Sequence, residues 1–283
     1  MLKDKFIPVA IDQWYTRRQQ DPEGDFYRKI AGQGPRNDFN KTTQGFYIAD
    51  PAGTLIAYNN NRGPERIRKL MEEALSQYTS PNCSPIEEPT IDTKFDPQLP
   101  SGAVVVRCGA KVKGGYEQAE NEWRAIFQRS VARDNLWILE NELEAMARGE
   151  FPESLAKRIA RFHLVDNTRG QPPAWEAAEI RSLTISINGE KVSGRIHLET
   201  EDQSRGFIAS LEGEISIQAG RLKKFDVIVE GDFWGTGRFT LEPPKGKFPL
   251  VVAFRLPDVP DKTDSIPPAG TRGWLDGYLD PDR

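Results

Sequence analysis

Cysteine, histidine and methionine are scarce in this chain, at two, two and three among 283 residues. Cys83 and Cys108 form neither a C-x-x-C nor a metal-type spacing, which argues against motif-based dithiol exchange and a structural zinc site. Cys83 lies in a proline-rich stretch and predicts an exposed thiol; Cys108 ends an apolar run and predicts a core thiol. A disulfide between them would require an oxidising compartment. No apolar run approaches the ~18–20 residues of a membrane helix, so membrane insertion is not expected. The opening residues Met1-Leu2-Lys3-Asp4-Lys5 lead into only a short apolar stretch, unlike a signal peptide. The expected location is the cytoplasm, or extracytoplasmic if the reading frame has lost a leader. A net charge of −4 argues against a general electrostatic grip on nucleic acid. Nucleophile-elbow, phosphate-loop and H-E-x-x-H motifs are missing too, so neither catalysis nor a cofactor is legible.

What is present begins with Phe6–Ile11, a short run with β-branched residues that predicts a buried strand. Asp21-Pro22-Glu23 opens a helix carrying Phe26, Tyr27 and Ile30, ending near Gly32 and Gly34. Two apolar stretches, 45–49 and 54–58, flank Asp50-Pro51-Ala52-Gly53, a hairpin signal. Pro64 starts a second helix, with Ile67, Leu70, Met71, Ala74, Leu75 and Tyr78 at helical spacing.

Strand, helix, hairpin, helix over residues 1–78 resembles the C-terminal half of the thioredoxin fold, with 43–53 resembling the stretch around its cis-proline strand. The resemblance implies a redox-inactive domain. The upstream half with its C-x-x-C is missing, and Gln44 stands where that family carries its cis-proline. It also implies a gap beside Phe6–Ile11, because in that fold another strand separates it from Gly45–Ala49. Unpaired backbone there would be expensive. Residues 103–108 or a partner chain are the expected fillers, unless the two strands pair directly.

Residues 79–101 hold Pro81, Pro85, Pro89, Pro97 and Pro100 and read as an extended linker. The next segment, 102–180, reads as a strand followed by three helices. The first carries Tyr116, Ala119, Trp123, Ile126, Phe127 and Val131; the second follows Asp134 as N-cap, with Leu136, Trp137, Leu143 and Met146. The third starts at Pro152, with Leu155, Ile159 and Phe162. From Arg181 the period becomes two, with turns at Asn188-Gly189 and Ala219-Gly220 and strands through Phe239–Leu241 and Pro249–Leu256. At least six strands over 181–256 predict a curled antiparallel sheet, sandwich or partly open barrel. The tail, 257–283, carries Trp274, Leu275 and Tyr278 among Pro, Gly and Asp, and is expected to dock on the body or on a partner. The fold class is therefore α+β: a truncated thioredoxin-like domain, a helical segment and an antiparallel β-rich domain.

Few residues carry legible chemistry. The two histidines sit in similar phrases, Arg161-Phe162-His163-Leu164 and Arg195-Ile196-His197-Leu198, each followed by carboxylates. Two histidines and a carboxylate would suit a divalent transition metal, but the predicted helical and strand contexts differ, so coincidence is the better reading. Asp166, Asn167 and Arg169 form a dense polar loop at the helix–sheet junction, a place where function often resides. Its plainer role is helix capping, with Arg169 tied to a carboxylate. Trp234, between glycines, reads as the closing aromatic at a sheet end or as a pocket wall, and Trp274 as a docking residue. The favoured function is a non-catalytic binding or assembly protein with a protein partner or further copies of itself. The competing class is an enzyme, small-ligand or metal-binding protein using the β-rich domain, with Trp234, His197 and the 166–169 loop near its mouth.

Overall fold

The computed structural model describes residues 1–61, 63–83, 90–240 and 242–282, with Trp123 described by its backbone alone. Pro85 and Pro89 of the expected linker, Leu241 of an expected strand and the Trp123 side chain lie outside the described residues. The chain divides into two units, Met1–Pro97 and Gln98–Arg283.

The first unit contains α1 (Leu2–Lys5), α2 (Gln13–Thr16), α3 (Pro22–Gly32), the hairpin strands β1 (Phe46–Ala49) and β2 (Leu55–Asn59), and α4 (Pro64–Gln77). Asp21 caps α3 by accepting from the Gly24 N–H at 2.8 Å, and Pro22 occupies the first turn, where its missing N–H removes nothing. Asp50 holds the hairpin turn by accepting from the Thr54 N–H. Tyr27, buried on α3, meets Thr43 Oγ1 at 2.6 Å and packs edge-on against Tyr47, which packs edge-on against Tyr58.

Phe6–Ile11 does not form the expected buried strand. It belongs to no helix or strand, and Ile7 and Val9 are 90% and 72% exposed. Short apolar runs become strands only beside a partner, and among the described residues no strand pairs with this one. Nor do residues 103–108 fill a gap in this unit: β3 (Val104–Val112) pairs with two strands of the second unit. The β1–β2 hairpin is a two-stranded sheet among the described residues.

In the second unit β3 is followed by α5 (Glu122–Arg129), β4 (Ala132–Ile138), α6 (Glu140–Ala147) and α7 (Glu153–Arg158), which widens into a π turn over Ile159–His163. Then come β5 (Ile180–Asn188), β6 (Lys191–Glu199), β7 (Gly206–Gln218), β8 (Arg221–Trp234) and β9 (Phe248–Arg255), and in the tail α8 (Leu275–Leu279). Seven strands form one antiparallel sheet in the order β4-β3-β9-β8-β7-β6-β5. One row of its alternating side chains, including Val106, Ile196, Leu211, Val229 and Val252, shares a core with Leu143 and Met146 of α6, Leu155 of α7, Ile159 and Trp175. β4 and β5 do not pair with each other, so the sheet is open among the described residues.

Four expectations change here. Residues 102–180 and 181–256 share this sheet, so the boundary at 180 crosses a single structure. Asp134 is not a helix N-cap but a residue of β4, a strand that Trp137 and Ile138 make apolar on both faces. A doubly buried strand lacks alternation and reads like part of a helix. The preceding helix is only eight residues long, and Ile126 and Val131 are exposed rather than core. Phe239 and Thr240 belong to no strand, and among the described residues five strands rather than at least six span the region beyond residue 180.

The tail docks onto β4. Asn135 Nδ2 donates to the carbonyls of Thr263 and Ile266, both at 2.8 Å, and Trp137 N–H donates to the Tyr278 hydroxyl. Tyr278 is buried against Trp137 and Phe162. A sheet edge is thereby sealed by its own chain, one of the ways proteins blunt exposed edges.

Candidate functional site

The polar cluster at 166–169 is an internal strut. Asp166 and Arg169 are 1% and 4% exposed and ion-paired with each other. Asp166 Oδ1 also accepts from Thr168 N and Oγ1, and Arg169 Nη1 donates to the Tyr116 hydroxyl at 2.6 Å. Buried charges need such partners, and here they supply one another. Asn167 is half-buried, with its side-chain oxygen unpartnered.

The histidines are built into different surroundings. His163 is buried, with Nε2 2.9 Å from the Tyr278 hydroxyl and Nδ1 3.3 Å from Asp134 Oδ2, though not aligned there for a hydrogen bond. Burial pushes the Tyr278 phenol well above its ordinary range, so it keeps its proton and serves as a polar fastening for the tail. His197 lies on β6 with Nε2 3.9 Å from Glu199. Among the described residues no group of three or more His, Cys, Asp or Glu could hold a metal ion.

The two tryptophans each cover a glycine, Trp234 half-buried and Trp274 44% exposed. Trp234 lies against Gly206, where a Cβ would stand 2.1 Å from the ring; its Nε1 donates to the Gln203 carbonyl. Trp274 lies over Gly277, packs against Phe162 and receives the Arg161 guanidinium at 5.3 Å from its ring centroid. Cys108 is buried and its thiol is pushed well up by desolvation, while Cys83 is exposed.

An open groove lies elsewhere, beside the second edge of the sheet. This groove of about 980 Å³ runs between β5 and α7, walled by Leu183, Ile185, Gly194 and Leu211 and equally by polar residues such as Thr184, Ser186, Arg195 and Glu212. None of the loop, histidine or tryptophan candidates lines it. Gly194 leaves the groove floor without a side chain, and Leu183, Ile185 and Ile187 are only half-buried. Lys157 marks the α7 side, tied to Glu153 and Asp282, whose hydrogen bonds push its amine up. Arg181 stands at the start of β5, where a bulge leaves it without a cross-strand partner; among the described residues no carboxylate pairs with it.

The sequence contains this site only implicitly. The alternation of Leu183, Ile185 and Ile187 marks a strand with one apolar face, yet edge position depends on strand order. Comparison of the chain with protein-family models, with curated proteins and with solved structures finds no match.

Proposed function

We propose that this chain is a non-catalytic binding protein that takes up an extended, apolar polypeptide segment along the free edge of β5. The observation that carries this reading is the unequal treatment of the two sheet edges. The tail lies on β4, whereas among the described residues no strand pairs with the outer edge of β5, which runs beside a groove and carries three half-buried aliphatic side chains. An added strand would satisfy the unpaired backbone groups of β5 and finish burying that row, the usual logic of β-augmentation. The non-catalytic part is supported by the state of the reactive groups: Asp166, Arg169 and His163 are engaged internally, and Cys108 is buried.

For the first unit, the order α3, β1, β2, α4 supports a degenerate thioredoxin-like reading, against which stands the unformed strand at 6–11.

Selection from an unbiased peptide display should yield segments with alternating apolar residues. Their binding should slow hydrogen exchange at the Leu183, Ile185 and Ile187 amides. Selection of no peptide, or protection confined to other surfaces, overturns the reading.

A further inference from the structure

We infer that the segment received by β5 is the Phe6–Ile11 arm of a second copy of this chain, paired antiparallel. The inference rests on the edge-binding reading above and adds the occupant. The arm belongs to no helix or strand, and Ile7, Val9 and Ile11 are 90%, 72% and 41% exposed. Three aliphatic side chains spaced two apart would lie on one face of an extended strand, and leaving them in water forgoes their burial free energy.

Pairing geometry fixes which residues of the arm face the edge, and matching all three aliphatic pairs selects one register. In the β5–β6 hairpin, Asn188 and Lys191 flank the two-residue turn Gly189-Glu190 and form its hydrogen-bonded pair. Counting back by two, Ser186, Thr184 and Ser182 direct their N–H and C=O groups towards β6. Leu183, Ile185 and Ile187 therefore present theirs to the open edge. Setting Ile7 opposite Ile187, Val9 opposite Ile185 and Ile11 opposite Leu183 gives each open position a residue with an N–H. It also places all six aliphatic side chains on the groove face. Pro8, which has no N–H, then falls on the outward side, where proline is tolerated in an edge strand. A slip by one residue would turn Pro8 into the ladder and the aliphatic row away from the groove.

Charge selects the direction. Antiparallel pairing brings Asp12, which follows the arm, to the Arg181 end of β5. Parallel pairing would bring Lys5 to Arg181 instead, setting like charges together. Reciprocal donation between two copies closes a dimer; one-way donation continues into a longer assembly.

The test is sedimentation velocity over a range of concentrations with the full chain and with an Ile7→Lys/Val9→Lys variant. Both side chains are exposed, so the substitutions leave the fold of the single chain intact. The full chain should self-associate, and the variant should do so at least about tenfold more weakly, because each lysine would enter a desolvated contact. A strictly monomeric full chain, or equal association of the variant, overturns the inference. In a Cys83→Ser background, Val9→Cys with Ile185→Cys should oxidise to a covalent dimer or larger species; an intrachain cross-link of monomer mass overturns the second-copy assignment. A synthetic peptide of residues 5–12 separates this inference from the broader reading. If selected peptides protect the β5 amides while the 5–12 peptide does not, the arm is rejected and the edge stands. If no peptide protects β5, both are rejected.

Discussion

Arg158 and Glu142 meet with neither side chain reached by water: Nη1 lies 2.9 and 2.7 Å from the two carboxylate oxygens, at 0% and 1% side-chain exposure. Both groups make further hydrogen bonds. Arg158 also donates to the carbonyls of Tyr278 and Leu279, and Glu142 accepts from Leu139 N–H and the Ser154 hydroxyl. One guanidinium thus joins α6, α7 and the tail, fixing the segment that seals β4.

Removing one partner should be much worse than removing both. Arg158→Met leaves a buried carboxylate uncompensated and should lower stability by about 3–5 kcal/mol, measured by urea unfolding. Arg158→Met with Glu142→Leu should recover a large part of that loss.

Tyr278→Phe keeps the ring and removes the hydroxyl that accepts from Trp137 N–H and meets His163 Nε2. An unsatisfied buried N–H should lower stability by about 1–3 kcal/mol. Hydrogen exchange at the Trp137 amide should accelerate more than at the β7–β8 pairing, which lies inside the sheet.

Alkaline pH should weaken the fold. Burial raises the Tyr278 phenol well above its ordinary 10.0 and the Cys108 thiol well above 9.0. Both bind their protons more tightly in the folded chain, so the unfolded chain loses protons first as pH rises. Their stabilisation is complete below the unfolded values and is lost as pH climbs through the folded ones. Urea midpoints should therefore fall from pH about 9 upwards. In a phenolate absorbance titration Tyr47, raised mainly by burial to about 12, should ionise late.

The thiols should separate in rate. A disulfide reagent should titrate exposed Cys83 promptly and buried Cys108 only after denaturation. Equal rates would contradict the packing of β3 against the core.

At the β7–β8 turn, Ala219 has φ 49° and Gly220 φ 72°. A Cβ in the left-handed region is strained, so Ala219→Gly should raise stability by about 0.5–1 kcal/mol. Gly231→Ala should do the reverse more strongly, since the new Cβ would stand 2.0 Å from the Ile208 carbonyl oxygen. Urea midpoints of the two variants should move in opposite directions.

Local chemistry was legible in the sequence where its physical cause is local. Asp21-Pro22 announces α3 because cap and first turn are adjacent in the chain, and Ala219-Gly220 announces a hairpin because a turn is a property of its own backbone. The alternation from Leu183 to Ile187 announces a one-sided strand for the same reason. What lay beyond it depends on distant partners. Phe6–Ile11 has the composition of a buried strand and is an exposed arm, because among the described residues no strand pairs with it. Trp137 reads as helical and belongs to a strand, because Tyr278 and Phe162 cover its second face from distant points in the chain. The loop at 166–169 carries the polar density of a site, yet burial turns each of its charges towards an internal partner. The sequence alone determined which segments are apolar on which face. Only the tertiary structure decided which sheet edge is sealed and which is open, because edge position follows from strand order and from where the tail lies.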